Sequence, residues 1–200
     1  TSRVFMSDNG FQCGEHGLID KRTMYEASIR VPLIVHCPDL FSGGQRRSEM
    51  LLNIDIAPTF LEAGRVSIPQ TMHGRSFFRL LSGEATEWRD TFLYEYFWER
   101  AFPQTPTVLG VRGERYKLMR FHGVWDRYEL YDLEADPGEM HNLLGDIRLE
   151  AEGGSVDRQI TERADPLVAA LFGRLSDQLD EILSDTGALD EPTWRSPSVR

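Results

Sequence analysis

The chain has 200 residues, 40% hydrophobic and 27% charged. That balance excludes an intrinsically disordered segment and a disulfide-stapled miniprotein, and a chain of this length buries about 70% of its unfolded surface. Acidic residues outnumber basic ones 32 to 22, a net charge of −10, which argues against a sequence-independent grip on nucleic acid or an anionic membrane surface. No apolar run approaches the ~18 residues of a membrane span.

The chain opens Thr1-Ser2-Arg3-Val4-Phe5-Met6 with no initiator Met, basic segment or apolar leader. It reads as beginning inside a strand, and a fragment is expected. Residues 3–6 predict that strand, broken by Ser7-Asp8-Asn9-Gly10. Gly14-Glu15-His16-Gly17 is a loop. Thr23 to Ile29 predicts a short helix, with Glu26 and Arg30 spaced for an ion pair. Pro32 ends it, and Leu33-Ile34-Val35 predicts a short buried strand. Asp55 is the expected cap of a helix with Pro58 in its first turn and its end near Gly64. Gly74 to Leu81 predicts a turn and a short apolar helix. Cys13 and Cys37 have neither a C-x-x-C nor a zinc spacing and are expected as buried or half-buried free thiols.

After about residue 90 the texture changes. Thr91–Phe97, Val108–Arg112, Tyr116–Phe121 and Tyr128–Leu133 predict four strands of an antiparallel meander, separated by turns such as Arg112-Gly113-Glu114 and His122-Gly123. Residues 145–165 predict an exposed loop. Leu167, Val168, Leu171, Phe172, Leu175, Leu179, Ile182 and Leu183 form one helical stripe, expected to cover a face of the meander.

The chemistry concentrates in the first thirty residues. Asp8 and Asn9 follow a strand's carboxyl end, where ligands bind in open α/β sheets. A carboxylate and an amide carbonyl are hard donors suited to Ca²⁺ or Mg²⁺. Lys21 lies beyond a glycine-containing loop and offers an ammonium to an oxyanion. Taken singly these are weak signals: Asp-Asn-Gly is a common type I′ turn, Lys21 a surface lysine, His16 a loop residue.

In combination they are specific. Ser7-Asp8-Asn9-Gly10, Gly14-Glu15-His16-Gly17, Asp20-Lys21-Arg22, Tyr25-Glu26 and Ile29-Arg30-Val31-Pro32-Leu33-Ile34 resemble the downstream active-site block of the type I sulfatases, in the alkaline-phosphatase superfamily. Asp55-Ile56-Ala57-Pro58-Thr59 with Gly64 is similar to that family's next helix. Glu129-Leu130-Tyr131-Asp132-Leu133, Asp136-Pro137, Glu139 and Asn142-Leu143 resemble the ending of its C-terminal subdomain. The resemblance covers roughly residues 3–145, in the family's order.

It implies an α/β fold: the C-terminal portion of an alkaline-phosphatase-like sandwich in residues 1–85, then a small antiparallel-sheet subdomain with a packed C-terminal helix in 86–200. It implies hydrolysis of a sulfate ester, with Asp8 and Asn9 as ligands of a divalent cation, most often Ca²⁺ with Mg²⁺ as the alternative, and with Lys21 and His16 as catalytic groups. Lys21 would hold a sulfate oxygen or stabilise the leaving oxygen. The family's nucleophile, a formylglycine made in a C/S-x-P-x-R motif, has no counterpart here, nor do its N-terminal paired aspartates. Both are expected in an N-terminal remainder of the same enzyme. Ca²⁺ takes about 6–8 oxygen ligands, so Asp8 and Asn9 cannot hold it alone.

The aromatic stretches 94–99, 102–107 and 121–126 resemble bacterial carbohydrate sulfatases, notably N-acetylglucosamine-6-sulfatase-like enzymes. Sugar rings stack on aromatic faces. His122, Trp125 and Gln104 are the candidate substrate-binding residues because they sit in apparent loops. The expected partner is a sulfated carbohydrate or another small sulfate ester. The rivals are a phosphodiester or phosphonate monoester hydrolase of the same superfamily and a non-catalytic carbohydrate-binding domain. A periplasmic or secreted location is family analogy alone.

Overall fold

The computed structural model describes residues 1–84, 87–122, 127–145, 147 and 155–187. They divide into two compact units, one made of Thr1–Asn9 with Val31–Asp90 and the other of Gly10–Arg30 with the segment from Thr91 onward.

In the first unit, β1 (Arg3–Met6) pairs antiparallel with β2 (Leu33–His36), Phe5 opposite Ile34. These two partners leave 66% and 59% of their surface exposed, so β2 is half-exposed where the apolar triplet predicts a buried strand. Helix α2 (Ile56–Ala63) ends at Gly64 and α3 (Phe78–Leu81) follows, both as expected. Asp55 precedes α2 without capping it. Its fully buried carboxylate instead accepts the N–H groups of Leu52 (2.8 Å) and Arg75 (2.7 Å) and a two-pronged bond from Arg89, one prong at 2.8 Å. A buried carboxylate is retained only with such a full set of donors. Cys37 is buried and Cys13 is exposed; both are free thiols.

In the second unit the meander is present as predicted. Strands β3 (Thr91–Tyr96), β4 (Thr107–Gly113), β5 (Tyr116–His122) and β6 (Arg127–Asp132) lie in sequence order, each antiparallel to the next. Alternation along each strand serves two cores. Leu93, Leu109, Val111, Leu118 and Leu130 point to one face, against α5 (Pro166–Asp185), whose Phe172, Leu175, Leu179 and Leu183 are buried at helical spacing. Leu167, included in the predicted stripe, is 82% exposed, while its neighbour Val168 packs against the core. The segment 145–165 is not all loop: α4 (Val156–Arg163) begins at Ser155, whose hydroxyl accepts the Arg158 N–H, and carries an Arg158–Glu162 pair at 2.7 Å. Only Ile160 and Gln159 of α4 are buried, so its apolar signal is thin.

The opposite face of the meander takes Met24 and Tyr25, packed with Val108, Met119 and Tyr131. The glycine at position 110 is required there, since a Cβ would collide with the Met24 sulfur. Within this segment the helix is a single turn, α1 (Glu26–Ile29), shorter than the predicted Thr23–Ile29. Thr23 is diverted into bonds with Gln12 and Ser28. Glu26 does not pair with exposed Arg30; its carboxylate turns inward to Lys117 and Arg112.

Candidate active-site loop and cation ligands

Asp8 and Asn9 follow β1 directly, Asp8 exposed and Asn9 half-buried. The Ser7 hydroxyl donates to the Asn9 carbonyl at 2.7 Å and fixes this bend. It is not a type I′ hairpin turn, for neither Asn9 nor Gly10 has positive φ and β1 pairs with a strand that begins only at Leu33. A carboxylate and an amide oxygen on adjacent residues suit a hard cation. Among the described residues no cluster of three or more His, Cys, Asp or Glu side chains assembles, so the pair fits part of a calcium shell and not the whole.

Residues 10–30 are folded on themselves around buried Gln12. Its N–H donates to the Asp20 carbonyl at 2.8 Å, and its Oε1 accepts the hydroxyls of Thr23 (2.7 Å) and Ser28 (3.3 Å). The Gly10 N–H donates to Ser28 O at 2.7 Å, so close that a Cβ at position 10 would strike the Ala27 carbonyl.

Lys21 is exposed, and its ammonium has no hydrogen bond or ion pair among the described residues. Its neighbours are committed. Asp20 accepts the Lys21 N–H (2.7 Å), the Arg22 guanidinium (2.8 Å) and the Thr105 hydroxyl (2.9 Å). Partial burial would raise the Asp20 carboxyl's pKa; these three donors outweigh it and hold the carboxyl below its usual range. Arg22 in turn lies over the Phe102 ring, 3.2 Å from its centroid. The loop that presents Lys21 is thereby tied to the β3–β4 connection, which carries exposed Gln104. His122 is half-buried and ends β5 opposite Thr107, at this same end of the meander; it belongs to the strand and not to the loop expected from the sequence. Trp125 lies outside the described residues.

His16 is held differently. It sits in a 3-10 turn with φ 55°, and its ring stacks on Tyr25 at 3.8 Å and 10°. The Tyr25 hydroxyl donates to Glu129 Oε2 at 2.7 Å, and the Tyr131 hydroxyl donates to the same oxygen at 2.9 Å. Burial and the neighbouring Glu129 charge push both phenols well above their ordinary pKa.

Lys117, not singled out by sequence reasoning, is wholly buried behind this loop. The signal was there: with Met119 and Phe121 it occupies alternate positions of a strand sandwiched between two cores, and a lysine so placed requires acidic partners.

The model of the family described as N-sulphoglucosamine sulphohydrolase, C-terminal, matches residues 14–165. The chain belongs to this family. As a member of the sulphohydrolase C-terminal family it is 39% identical over 145 residues to an N-acetylglucosamine-6-O-sulfatase of Bacteroides thetaiotaomicron, an alignment covering 71% of this chain and 26% of the relative. A structure solved in complex with its substrate D-glucosamine-2-N,6-O-disulfate superposes with a TM-score of 0.79 at 30% identity, covering 98% of this chain and 36% of the other. The phosphonate monoester hydrolase of Silicibacter pomeroyi superposes at 0.70 with 27% identity, covering 91% and 34%. The chain therefore spans about a quarter to a third of the length of the relatives it matches. As a sulphohydrolase C-terminal family member it has the mixed α/β architecture expected from the sequence: a small antiparallel subdomain with its C-terminal helix, preceded by strand-and-helix units.

Proposed function

We propose that this chain is the C-terminal part of a sulfatase that hydrolyses a sulfate ester of a sugar. The observation that carries the reading is the 39% identity to an N-acetylglucosamine-6-O-sulfatase over 145 residues. The exposed apolar partners Phe5 and Ile34 are in keeping with a sheet that continues in the remainder of such an enzyme.

Lys21, exposed on a braced loop, binds a sulfate oxygen and stabilises the charge gathering on the leaving oxygen. His16, its ring fixed on Tyr25, is the catalytic imidazole of the loop. Gln104 and His122, with Trp125, contact the sugar. Asp8 and Asn9 hold part of the shell of a divalent cation, Ca²⁺ or Mg²⁺, which when bound supplies positive charge to the sulfuryl oxygens. The formylglycine nucleophile belongs to the N-terminal remainder of the enzyme.

A second reading, a phosphonate monoester hydrolase, is favoured by the fold shared with the Silicibacter enzyme. Assaying the full-length enzyme with glucosamine 6-O-sulfate and with a phosphonate monoester separates the two. The sulfate ester is expected to be preferred, and Asp8→Ala is expected to lose calcium dependence and most turnover, because an anionic ligand is gone. Preference for the phosphonate ester transfers the chain to the second reading. Near-normal calcium dependence in Asp8→Ala overturns the cation assignment, and hydrolysis of neither ester leaves a carbohydrate-binding domain as the surviving function.

A further inference from the structure

We propose that Lys117 and Glu139 are positioning residues that latch the Lys21 loop onto the meander. The ammonium of Lys117, on β5, is 0% exposed and its three N–H donors each meet an acceptor: the Met24 carbonyl at 2.8 Å, Glu26 at 2.8 Å and Glu139 at 2.6 Å. Two of those three acceptors belong to the loop. Glu139 completes the clamp from the far side of the sequence, for its second oxygen accepts the Glu26 N–H at 2.7 Å. This is the first amide of α1, which no nearby side chain caps. Glu139 does this from φ 55°, a left-handed conformation that costs energy for a residue other than glycine and persists only where its surroundings enforce it. Arg112 balances the second carboxylate, 3.4 Å from Glu26. The result is a charge-balanced set of two cations and two anions, with Lys117 and Glu139 buried and Arg112 and Glu26 half-buried, spanning β4, β5, the Asp136-Pro137-Gly138-Glu139 turn and the loop.

Its chemical consequence is geometric. Met24 and Glu26 bracket Tyr25, the platform for His16, and Met24 lies three residues from Lys21. A loop free to shift by about 1 Å loses on the order of 10²-fold in rate when it carries catalytic groups. Lys117 touches no substrate in this scheme; it acts through the loop. The catalytic half of the inference rests on the sulfatase reading above, and the latch itself does not.

The test uses the full-length enzyme with Lys117→Met, which removes the cation at similar volume, and Glu139→Gln, a milder change that folds if the first does not. Two quantities are read in each: amide hydrogen exchange, and kcat and KM for glucosamine 6-O-sulfate. Exchange at Gln12 and Glu26 is expected to rise at least about tenfold while Val111 and Leu118 in the meander stay protected, with kcat falling about 10²-fold in Lys117→Met and less in Glu139→Gln. Loop exchange unchanged in both variants overturns the latch. A uniform rise in loop and meander makes the cluster merely structural and overturns the positioning role, as does a rise confined to the loop with kcat unaltered. If the loop loosens selectively but the wild-type enzyme cleaves no sulfate ester, the latch stands and the sulfatase reading fails.

Discussion

Replacing Tyr25 by phenylalanine removes one oxygen and keeps the ring on which His16 stacks. The lost bond runs 2.7 Å to Glu129, and hydrogen bonds to charged groups are worth about 1.5–3 kcal/mol. The low end applies, because Glu129 Oε2 retains the Tyr131 hydroxyl at 2.9 Å and is not left bare. A cost of about 1.5 kcal/mol follows, or roughly tenfold in the local opening equilibrium. Tyr25→Leu also forfeits the stack, 3.8 Å and nearly parallel, a further 0.5–1.5 kcal/mol or so. Its total is about 2–3 kcal/mol, roughly 30- to 150-fold. The Ser28 and Ile29 amides report this directly, since both donate to the Tyr25 carbonyl, at 2.8 and 3.1 Å. Their hydrogen exchange in the full-length enzyme should accelerate in that order, Phe before Leu. Equal acceleration in the two variants would show that the ring contributes nothing and the hydroxyl everything. Wild-type exchange in Tyr25→Phe refutes the Glu129 anchor.

Gly10→Ala drives a Cβ into the Ala27 carbonyl and is expected to cost about 1–3 kcal/mol as an overpacked contact, seen as a lowered melting temperature and faster Gln12 exchange; Gly43→Ala, at a position with open space around it, is the silent control. Burial first, and then the Asp157 carboxylate, push the Tyr128 phenol from 10.0 up to about 12. The fold thus favours the neutral phenol, so its stabilising contribution is complete below pH 10.0 and is lost as pH climbs through 12. Denaturant midpoints should fall across that window by more in the wild type than in Tyr128→Phe, and identical declines would contradict the assignment.

The legible parts of this fold are those written in periodicity. Four β-rich runs at short intervals give the meander, and the spacing of Phe172, Leu175, Leu179 and Leu183 gives the helix that covers it. Lys21, Asp8 and Asn9 stand out through a motif and not through any local pattern. What stays hidden is long-range: Glu26 has a ready partner at Arg30 by helical spacing, yet it pairs with residues of β4 and β5, because local spacing carries no knowledge of which strands will stack behind a loop. Asp55 is similar, a cap by sequence and a buried anchor for Arg89 in space. Helix α4 is missed because it buries only Gln159 and Ile160, too few positions to make an apolar stripe that reveals it.

The segment Gly10–Arg30 has a bearing on how the protein is made. It belongs to a unit whose other members begin at Thr91, and its clamp residue Glu139 lies 113 positions beyond Glu26. At roughly 5–20 residues per second, synthesis delivers Glu139 about 6–23 s after Glu26. For most of that interval Met24 and Tyr25 lack the completed sheet that they pack against, whose last strand ends only at Asp132. The Lys21 loop is therefore made well before the sheet on which it docks. A nascent chain stalled before β5 should hold the loop in a form that chaperones bind and proteases cut.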